Sequence, residues 1–588
     1  MNIQSFILTG QDYNPVYFGK LLWGEADVDF GDSEVGLNRQ FLSLSNLYFL
    51  IPALFHKWGL PLESMSFIHT ILGFPTLIFL YYFVSYSIFR SQKVALFSLG
   101  IFMLADFSMF LANIGYPLLF QKSYYYGDFN HIFVLLCFIF LYKDRIILAA
   151  ASAFLLTLFN PTYGVNLCLL VGLILILKGI LFKREGVFSS LIMIFGAISA
   201  LVMMYFATPN NEPISNEVRE LAIQSYYHIA PHIYNMKHYV FAQVFIISGL
   251  ILSCFVTAKD KGMLRILPIA ASMLYVISIV AYWVLYIVEP EIFILFAPSK
   301  SLMILSMFVS LFYGFAVYNI LFKLKSFFPS IILVLATLFL LSMASGIVIQ
   351  QVIWAAALIS AFLFIVIKIF KPSFISASYN PIFCYITVSF LFFLSFTQVY
   401  WLKNPTYFDI PDALLDVSLQ IESNINESAY FFAFKPISEG GDKQPVYSFR
   451  YLPLRTYSNK NMVSFAIGRN SYFDSQTRHN LETKNYKILG ISLWDDALVQ
   501  AKEYRSSMPL YYYLGYREGN LSRSAVGNIV INKVNMMNDI VRDMDTDQYE
   551  NYARAIGATH IILMHMPDFS IDENKRILGN KYFSVIPL

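Results

Sequence analysis

The chain has 588 residues, of which 57% are hydrophobic, 17% aromatic and only 13% charged. Soluble globular chains are about a quarter charged, so this composition excludes a wholly soluble protein and indicates that most of the chain faces lipid. The net charge of +3 gives no reason to expect a nucleic-acid partner.

Residues 1–63 have a mixed composition and are predicted to form an external N-terminal segment. Within it, 41–57 is apolar but interrupted by Ser and Asn, which favours an amphipathic helix in the membrane interface, with a true span as the alternative. An external start normally needs a preceding span to carry it across the membrane. We therefore expect either one more helix upstream or translocation of 1–63 with the first helix.

Residues 64–402 are predicted to form a transmembrane helical domain of about twelve apolar segments. Two of them, 131–143 and 146–160, are short for a bilayer that needs about 20 residues, and could be tilted spans or a re-entrant pair. The clear spans are 64–89, 94–113, 162–182, 187–207, 238–258, 264–288, 298–322, 327–346, 348–370 and 379–401.

Positive charges fall in every second connection between these segments. Lys and Arg stay on the cytoplasmic side of a membrane, so the alternation predicts that the N-terminal segment and the C-terminal tail both lie outside the cytoplasm. The basic connections contain Arg90/Lys93, Lys143/Arg145, Lys183/Arg184, Lys259/Lys261/Arg265, Lys323/Lys325 and Lys368/Lys371.

Residues 403–588 carry roughly half of all charged residues and are predicted to form a soluble periplasmic α/β domain. Strands are expected at 429–434, 560–564 and 583–586 because these runs are apolar and β-branched or aromatic. A helix is expected over 546–556, with Gly557 as its stop.

Acids on the predicted outer face are candidates for general-base catalysis. Asp12 and Asp27 lie in the first external segment, and Asp128 follows a tyrosine-rich loop. That loop also contains Tyr116, Lys122 and Tyr124, a combination of cation and rings that suits a sugar or a phosphate.

Further candidates occur where other connections reach the same face. Tyr163 belongs to the sequence Asn160-Pro161-Thr162-Tyr163-Gly164, which breaks the chain between two spans. His232 lies in a long external loop, and Lys300 opens a span, where it could hold a lipid phosphate as a point charge.

The tail has a cationic patch of Arg450, Arg455 and Lys460 beside aromatic residues, which could contact an anionic substrate or lipid headgroups. The sequence contains no phosphate-cradling loop, no nucleophile elbow and no metalloprotease motif. No metal ligands are predicted, and the need for a divalent cation stays open. An enzyme acting on the outer face would need a membrane-borne donor.

These scattered motifs resemble the GT-C superfamily of integral membrane glycosyltransferases, in particular bacterial members with a periplasmic tail. The matching pieces are 10–13, 160–164, Ala230-Pro231-His232, Pro298-Ser299-Lys300, the tail cations and 556–562. The resemblance implies a bacterial inner-membrane enzyme that transfers a sugar from a polyprenyl-phosphate donor to a glycan or protein acceptor.

The same resemblance implies roles for the candidate residues. Asp12 would be the general base, with Asp128 or Asp27 as alternatives. The donor phosphate would be held by cations, and rings would pack on sugar, lipid or acceptor. The cations are Lys122, His232 and Lys300, and the rings are those of Tyr116, Tyr124 and Tyr163.

Three other functions are compatible with the sequence. A transporter or flippase for lipid-linked glycans would need a polar path across the whole membrane, whereas here the polar residues gather on one side. A polymerase of lipid-linked glycans would place its large loops between spans. A non-catalytic partner in envelope assembly would differ from the enzyme only in activity.

Overall fold

The computed structural model of the protein describes most of the apolar region and several parts of the tail. The predicted spans 327–346 and 379–401 lie outside the described residues, as does 187–207 except for 195–196. The described residues are 46–60, 68–105, 126–182, 195–196, 236–288, 297–323, 347–370, 412–425, 431–434, 458, 460, 486–492, 533, 536, 539–540, 543–564, 573–581 and 583–588.

Within these ranges ten α-helices precede the tail, and nine of them coincide with predicted spans or with the short pair. The remaining one, α1, lies within the predicted interfacial segment 41–57. The ten are α1 (Asn46–Lys57), α2 (Phe74–Phe89), α3 (Gln92–Ala105), α4 (Tyr126–Tyr142), α5 (Ile146–Phe159), α6 (Pro161–Phe182), α7 (Met236–Thr257), α8 (Met263–Val288), α9 (Lys300–Lys323) and α10 (Ile347–Phe370).

Among the described residues, four helices are long and apolar enough to cross a membrane: Ile71–Phe89, Pro161–Ile180, Met263–Val288 and Lys300–Lys323. Four shorter apolar helices lie within α4, α5, α7 and α10. These are the features of a helical membrane protein. The total of twelve spans stays a prediction.

The two short segments form a helical hairpin, α4 and α5, which turns at Lys143–Arg145. Helix α4 begins at Tyr126 and has 17 residues, so it is longer than the predicted 131–143. Helix α5 has only 14 residues, about 21 Å of helix, and is followed at once by a reversal into α6.

Helix α9 forms the centre of the bundle. Twenty of its 24 residues are buried, and it packs against α3, α10, α7, α6 and α8. Two close approaches require glycine: a Cβ on Gly314 would lie 2.6 Å from the Cα of Ser98, and one on Gly249 would lie 2.5 Å from the Cβ of Val309. Small residues at such positions let helix backbones approach closely in a membrane.

Helix α8 has two faces of different character. The face towards the bundle includes the buried side chains of Leu267, Leu274 and Tyr282. The opposite face exposes apolar side chains at intervals of three or four residues: Met273, Val276, Ile277, Val280, Val284, Ile287 and Val288. An apolar stripe of this length is rare on soluble monomers, and lipid is its natural environment.

The basic connections that contain Arg90, Lys143 and Lys261 share one end of the bundle with Lys323, and we call this the basic end. Phe89 stacks on Phe315, and Phe97 meets Phe322 edge-on, so the turn containing Arg90 and Lys93 lies near the Lys323 end of α9. Arg90, Lys143 and Lys261, from three different connections, line one pocket there. These three connections therefore lie at one end of the described bundle, and the side of the membrane that this end faces stays a prediction.

The described parts of the tail form a mixed four-stranded sheet. Its order is β1-β2-β4-β3, with β1 and β2 parallel and the other pairs antiparallel. The predicted strands at 429–434, 560–564 and 583–586 are confirmed as β1, β2 and β4. The strands are β1 (Phe431–Phe434), β2 (His560–Met564), β3 (Leu578–Gly579) and β4 (Phe583–Pro587).

Two helices accompany this sheet. Helix α11 (Asp412–Asn424) reaches the β3–β4 turn, where Asn580 Nδ2 donates to Asp416 Oδ2 at 2.9 Å. Hydrogen bonds from Asn580 and Gln420 lower the pKa of the Asp416 carboxyl. Helix α12 (Thr546–Ala555) begins with a capping box at Asp545 and is followed by Gly557 at φ 94°, as its glycine stop predicts.

We expect Gly314→Ala to destabilise the bundle by about 1–3 kcal/mol, because the added methyl group would overlap the Ser98 backbone on α3. The measurement is the midpoint of thermal unfolding in detergent. Gly196→Ala is the matched control, since a Cβ there meets nothing within 4 Å. Equal midpoints for the two variants would contradict the close packing of α3 on α9.

Candidate functional site

A break between α5 and α6 forms one end of the bundle. Asn160 alone connects the two helices, in an extended conformation (φ −146°, ψ 96°) that the following proline favours. Thr162 Oγ1 donates to Asn160 Oδ1 at 3.1 Å, and Gly164 N donates to Asn160 O at 2.9 Å. The break is therefore a tightly bonded reversal rather than a loop.

Gly164 allows this reversal. A Cβ at that position would lie 2.2 Å from the Cα and 2.3 Å from the Oγ1 of Thr157 on α5. Thr157 is itself fixed, because its hydroxyl donates to Ala153 O at 3.0 Å. The first turn of α6 is thus held against the last turns of α5, and Tyr163 has a defined position.

A second turn, immediately before α9, lies at the same end of the bundle. Ala297 is buried and has a φ of 39°, which is unusual for a residue with a side chain. Lys300 N donates to Ala297 O at 2.9 Å, and Ser301 Oγ donates to Pro298 O at 2.8 Å. Backbone strain of this kind persists only where the surroundings impose it.

The two turns bring Lys300 and Tyr163 together. The Lys300 Nζ lies 5.6 Å from the centroid of the Tyr163 ring, within the range of a cation–π interaction. Tyr163 is buried, and Lys300 is half-buried. The Lys300 ammonium and the Tyr163 ring thus meet at this end of the bundle, which we call the Lys300 end.

Buried amides accompany this charge. Both amide atoms of Asn130 lack a hydrogen-bond partner within the described part of the chain, as does Oδ1 of Asn166. Asn130 lies at the same end of the bundle, because its neighbour Phe129 packs 5.2 Å from Phe159, the last residue of α5. An unsatisfied amide in a low-dielectric interior is costly unless a ligand or water satisfies it.

An aromatic wall closes one side of the Lys300 end. Tyr48 of α1 meets the Phe159 ring edge-on at 5.7 Å, and Phe133 of α4 lies 6.1 Å from it. Helix α1, predicted as an interfacial or spanning segment, therefore packs on the end of α5. The wall gives the Lys300 end an apolar surface beside its cation and amides.

The structure brings together two predicted site residues, Lys300 and Tyr163. Asp128 lies in the first turn of α4 at the same end, although only its backbone belongs to the described residues. Lys460 is half-buried, and its N–H donates to Ser458 Oγ at 3.3 Å. The remaining candidates lie outside the described residues: Asp12, Asp27, Tyr116, Lys122, Tyr124, His232, Arg450 and Arg455.

Asn130 and Asn166 were missed by the sequence analysis. The available signal was the presence of a carboxamide within a strongly apolar run, which is expensive in a membrane and suggests function. The structure adds that both are fully buried. The structure adds the contact between the Tyr163 ring and the Lys300 ammonium, and the packing of Tyr163 on a sugar or acceptor stays a prediction.

Within the described ranges of the chain, no three His, Cys, Asp or Glu side chains are grouped so that they could hold a metal ion. Comparison with known proteins finds no matching family model, and no curated protein matches the sequence significantly.

We expect Asn130→Leu to raise the midpoint of thermal unfolding in detergent. Its unpaired buried amide costs about 1–3 kcal/mol, which an apolar side chain of similar size would remove. Asn319→Leu is the control, because that buried amide donates from Nδ2 to Phe315 O at 2.7 Å. For this control we expect a smaller rise of the midpoint, or a fall. Equal changes in the midpoint for the two variants would show that the unpaired amide of Asn130 does not destabilise the fold.

Proposed function

We propose that the protein is a membrane glycosyltransferase that moves a sugar from a polyprenyl-phosphate donor to an acceptor at the periplasmic face. The observation that carries the proposal is the contact of Lys300, a half-buried residue at one end of an apolar bundle, whose Nζ lies 5.6 Å from the centroid of the Tyr163 ring. A lipid-linked phosphate approaching from the bilayer suits such a charge.

The separation between the two ends of the bundle supports this proposal. Tyr163 and Lys178 lie on the same helix, α6, and their sequence separation of 15 corresponds to about 22 Å along the helix axis. Lys178 pairs with Asp144 at the basic end. Since positive connections mark the cytoplasmic side, the Lys300 end would face the periplasm.

The filled centre of the bundle favours an enzyme over a transporter. Helix α9 is buried along almost all of its length, and its neighbours within the described bundle are mainly apolar side chains. A flippase would need a polar path for its glycan past this helix. A catalytic site needs polar groups at one end alone.

The proposed reaction is a displacement at the anomeric carbon of the sugar. A carboxylate, Asp12 or alternatively Asp128 or Asp27, takes the proton of the acceptor hydroxyl. The acceptor oxygen then forms a bond to the anomeric carbon as the bond from that carbon to the phosphate oxygen breaks. The configuration at the anomeric carbon is thereby inverted, and polyprenyl phosphate leaves with the bonding electrons.

Cations would stabilise the negative charge that the leaving phosphate gains. Lys300 would do so from the end of α9, joined by Lys122 and His232. Asn130 and Asn166 would donate or accept hydrogen bonds with the sugar hydroxyls or the phosphate. The apolar wall around Phe159 would hold the isoprenoid chain or the sugar face.

We expect Lys300→Met to lose bound polyprenyl phosphate or its sugar conjugate, because the point charge that holds the phosphate is removed. The measurement is mass spectrometry of the lipids that copurify with the protein, with a decrease of about tenfold expected for one charge-assisted contact. Lys259→Met, at the basic end, is the control. The donor site would be refuted if the original protein and both variants carried the same lipids.

Replacing the base should stop transfer without releasing the donor. We expect Asp12→Asn to lower sugar transfer in proteoliposomes by about 10²–10⁴-fold while copurified donor persists. Asp128→Asn is made in parallel, because its backbone lies at the Lys300 end. Full activity in the folded Asp12→Asn variant together with a loss in Asp128→Asn would move the base to Asp128. Full activity in both would leave Asp27 as the candidate.

A further inference from the structure

A second polar site lies at the basic end of the bundle. It is a pocket of about 530 Å³ between the last turns of α2 and α4 and the beginning of α8. Its polar lining comes from three separate basic connections, represented by Arg90, Lys143 and Lys261. The pocket is therefore assembled by packing, and no contiguous motif encodes it.

The pocket is strongly positive. Arg90, Lys143 and Lys261 line it, and none of them is paired with a carboxylate among the described residues. The one acid in the lining, Asp144, forms an ion pair with Lys178. Lys178 is buried and does not belong to the lining. Because Lys178 pairs with the one acid of the lining, the three cations of the lining have no carboxylate partner among the described residues.

Aromatic rings, not acids, orient two of these cations. Arg90 donates to the Tyr142 hydroxyl, and its guanidinium carbon lies 5.2 Å from the Tyr142 ring centroid. The Lys143 ammonium lies 4.9 Å from the centroid of Phe83. A ring restricts a cationic side chain but leaves its charge available, which is the condition for binding an anion.

The backbone of Arg90 adds to this constraint. Arg90 ends α2 in a left-handed conformation (φ 52°), a position that glycine commonly occupies, and its N–H donates to Tyr86 O at 2.8 Å. The last turn of α2 is thereby closed at Arg90, a residue of the pocket lining.

The opposite wall of the pocket is apolar. Met263 and Leu264 of α8 belong to it, and both also line a narrow apolar crevice that continues between α2, α4, α8 and α9. Leu267 and Phe308 lie in that crevice. A ligand that combined an anionic group with hydrocarbon would match both surfaces.

We propose that this pocket binds the phosphate group of an anionic membrane lipid, with the charge between Arg90, Lys143 and Lys261 and the hydrocarbon against α8. Basic pockets between membrane helices are suited to lipids with phosphate headgroups. The site lies at the other end of the bundle from Lys300, and the inference does not depend on the proposed glycosyl transfer.

The test compares two triple variants of the full-length protein in detergent. The first neutralises the cations of the lining and carries Arg90→Gln, Lys143→Gln and Lys261→Gln. The second neutralises one cation outside the lining in each of the same three connections and carries Lys93→Gln, Arg145→Gln and Arg265→Gln. The two variants lose equal charge from the same end of the molecule.

Lipid binding is measured by native mass spectrometry with cardiolipin and phosphatidylglycerol, and with zwitterionic phosphatidylcholine as the reference of zero net charge. We expect saturable binding of the anionic lipids, weakened about tenfold or more in the first variant and changed less than about threefold in the second. Tyr142→Phe keeps every charge but removes the hydroxyl that receives the Arg90 hydrogen bond. A smaller weakening is expected there, and this variant tests the site should the first triple variant fail to fold.

Inorganic phosphate and pyrophosphate distinguish the source of the anion. If they bind saturably and the lipids do not, the pocket serves a soluble phosphate and the lipid assignment is overturned. If both triple variants weaken lipid binding equally, the effect comes from diffuse charge at the basic end, and the pocket is not a site. Equal binding of phosphatidylcholine would overturn the proposal as well.

Discussion

The structure depends on the burial of one helix. Helix α9 contacts most of the other described helices of the bundle, and only four of its residues, including its two terminal lysines, retain partial exposure. In a bilayer, apolar side chains gain little from leaving lipid, so helices associate through close packing and a few hydrogen bonds. Gly314 against Ser98, and Tyr81 bonded to Ser310 at 2.9 Å, are contacts of this kind.

Because α9 is fixed along its length, its first residue has a fixed place. Lys300 follows the buried Ala297 turn directly and meets Tyr163 of α6. The position of the cation therefore rests on helix packing that extends through the whole bundle. At the far end, the same packing brings together the connections that contain Arg90, Lys143 and Lys261.

Much of the helical arrangement could be predicted because it rests on composition. Apolar length locates the helices, Pro161 lies at the predicted break between two spans, and Gly557 marks a helix stop that the structure retains. The shared end of the basic connections follows from charge alone. The strands β1, β2 and β4 could be predicted from local side-chain character, but their pairing order could not, since it depends on contacts distant in sequence.

The candidate sites were less accessible to prediction. Lys300 and Tyr163 could each be suspected, but their contact depends on two turns, one of which places Ala297 at a positive φ that its sequence does not signal. The unpaired state of Asn130 becomes visible only when its neighbours are known. The basic pocket combines three connections, none of which is distinctive by itself.

The parallel pairing of β1 with β2 has a consequence for biogenesis. Phe431 of β1 pairs with His560 of β2, and the two residues are 129 positions apart in the sequence. The ribosome therefore adds 129 residues after Phe431 before the partner strand begins. At elongation rates of about 5–20 residues per second, this is a delay of roughly 6–26 s. During that interval the apolar edge of β1 emerges beside a membrane without its partner. Late closure of this kind favours assistance by a chaperone while the tail is being synthesised.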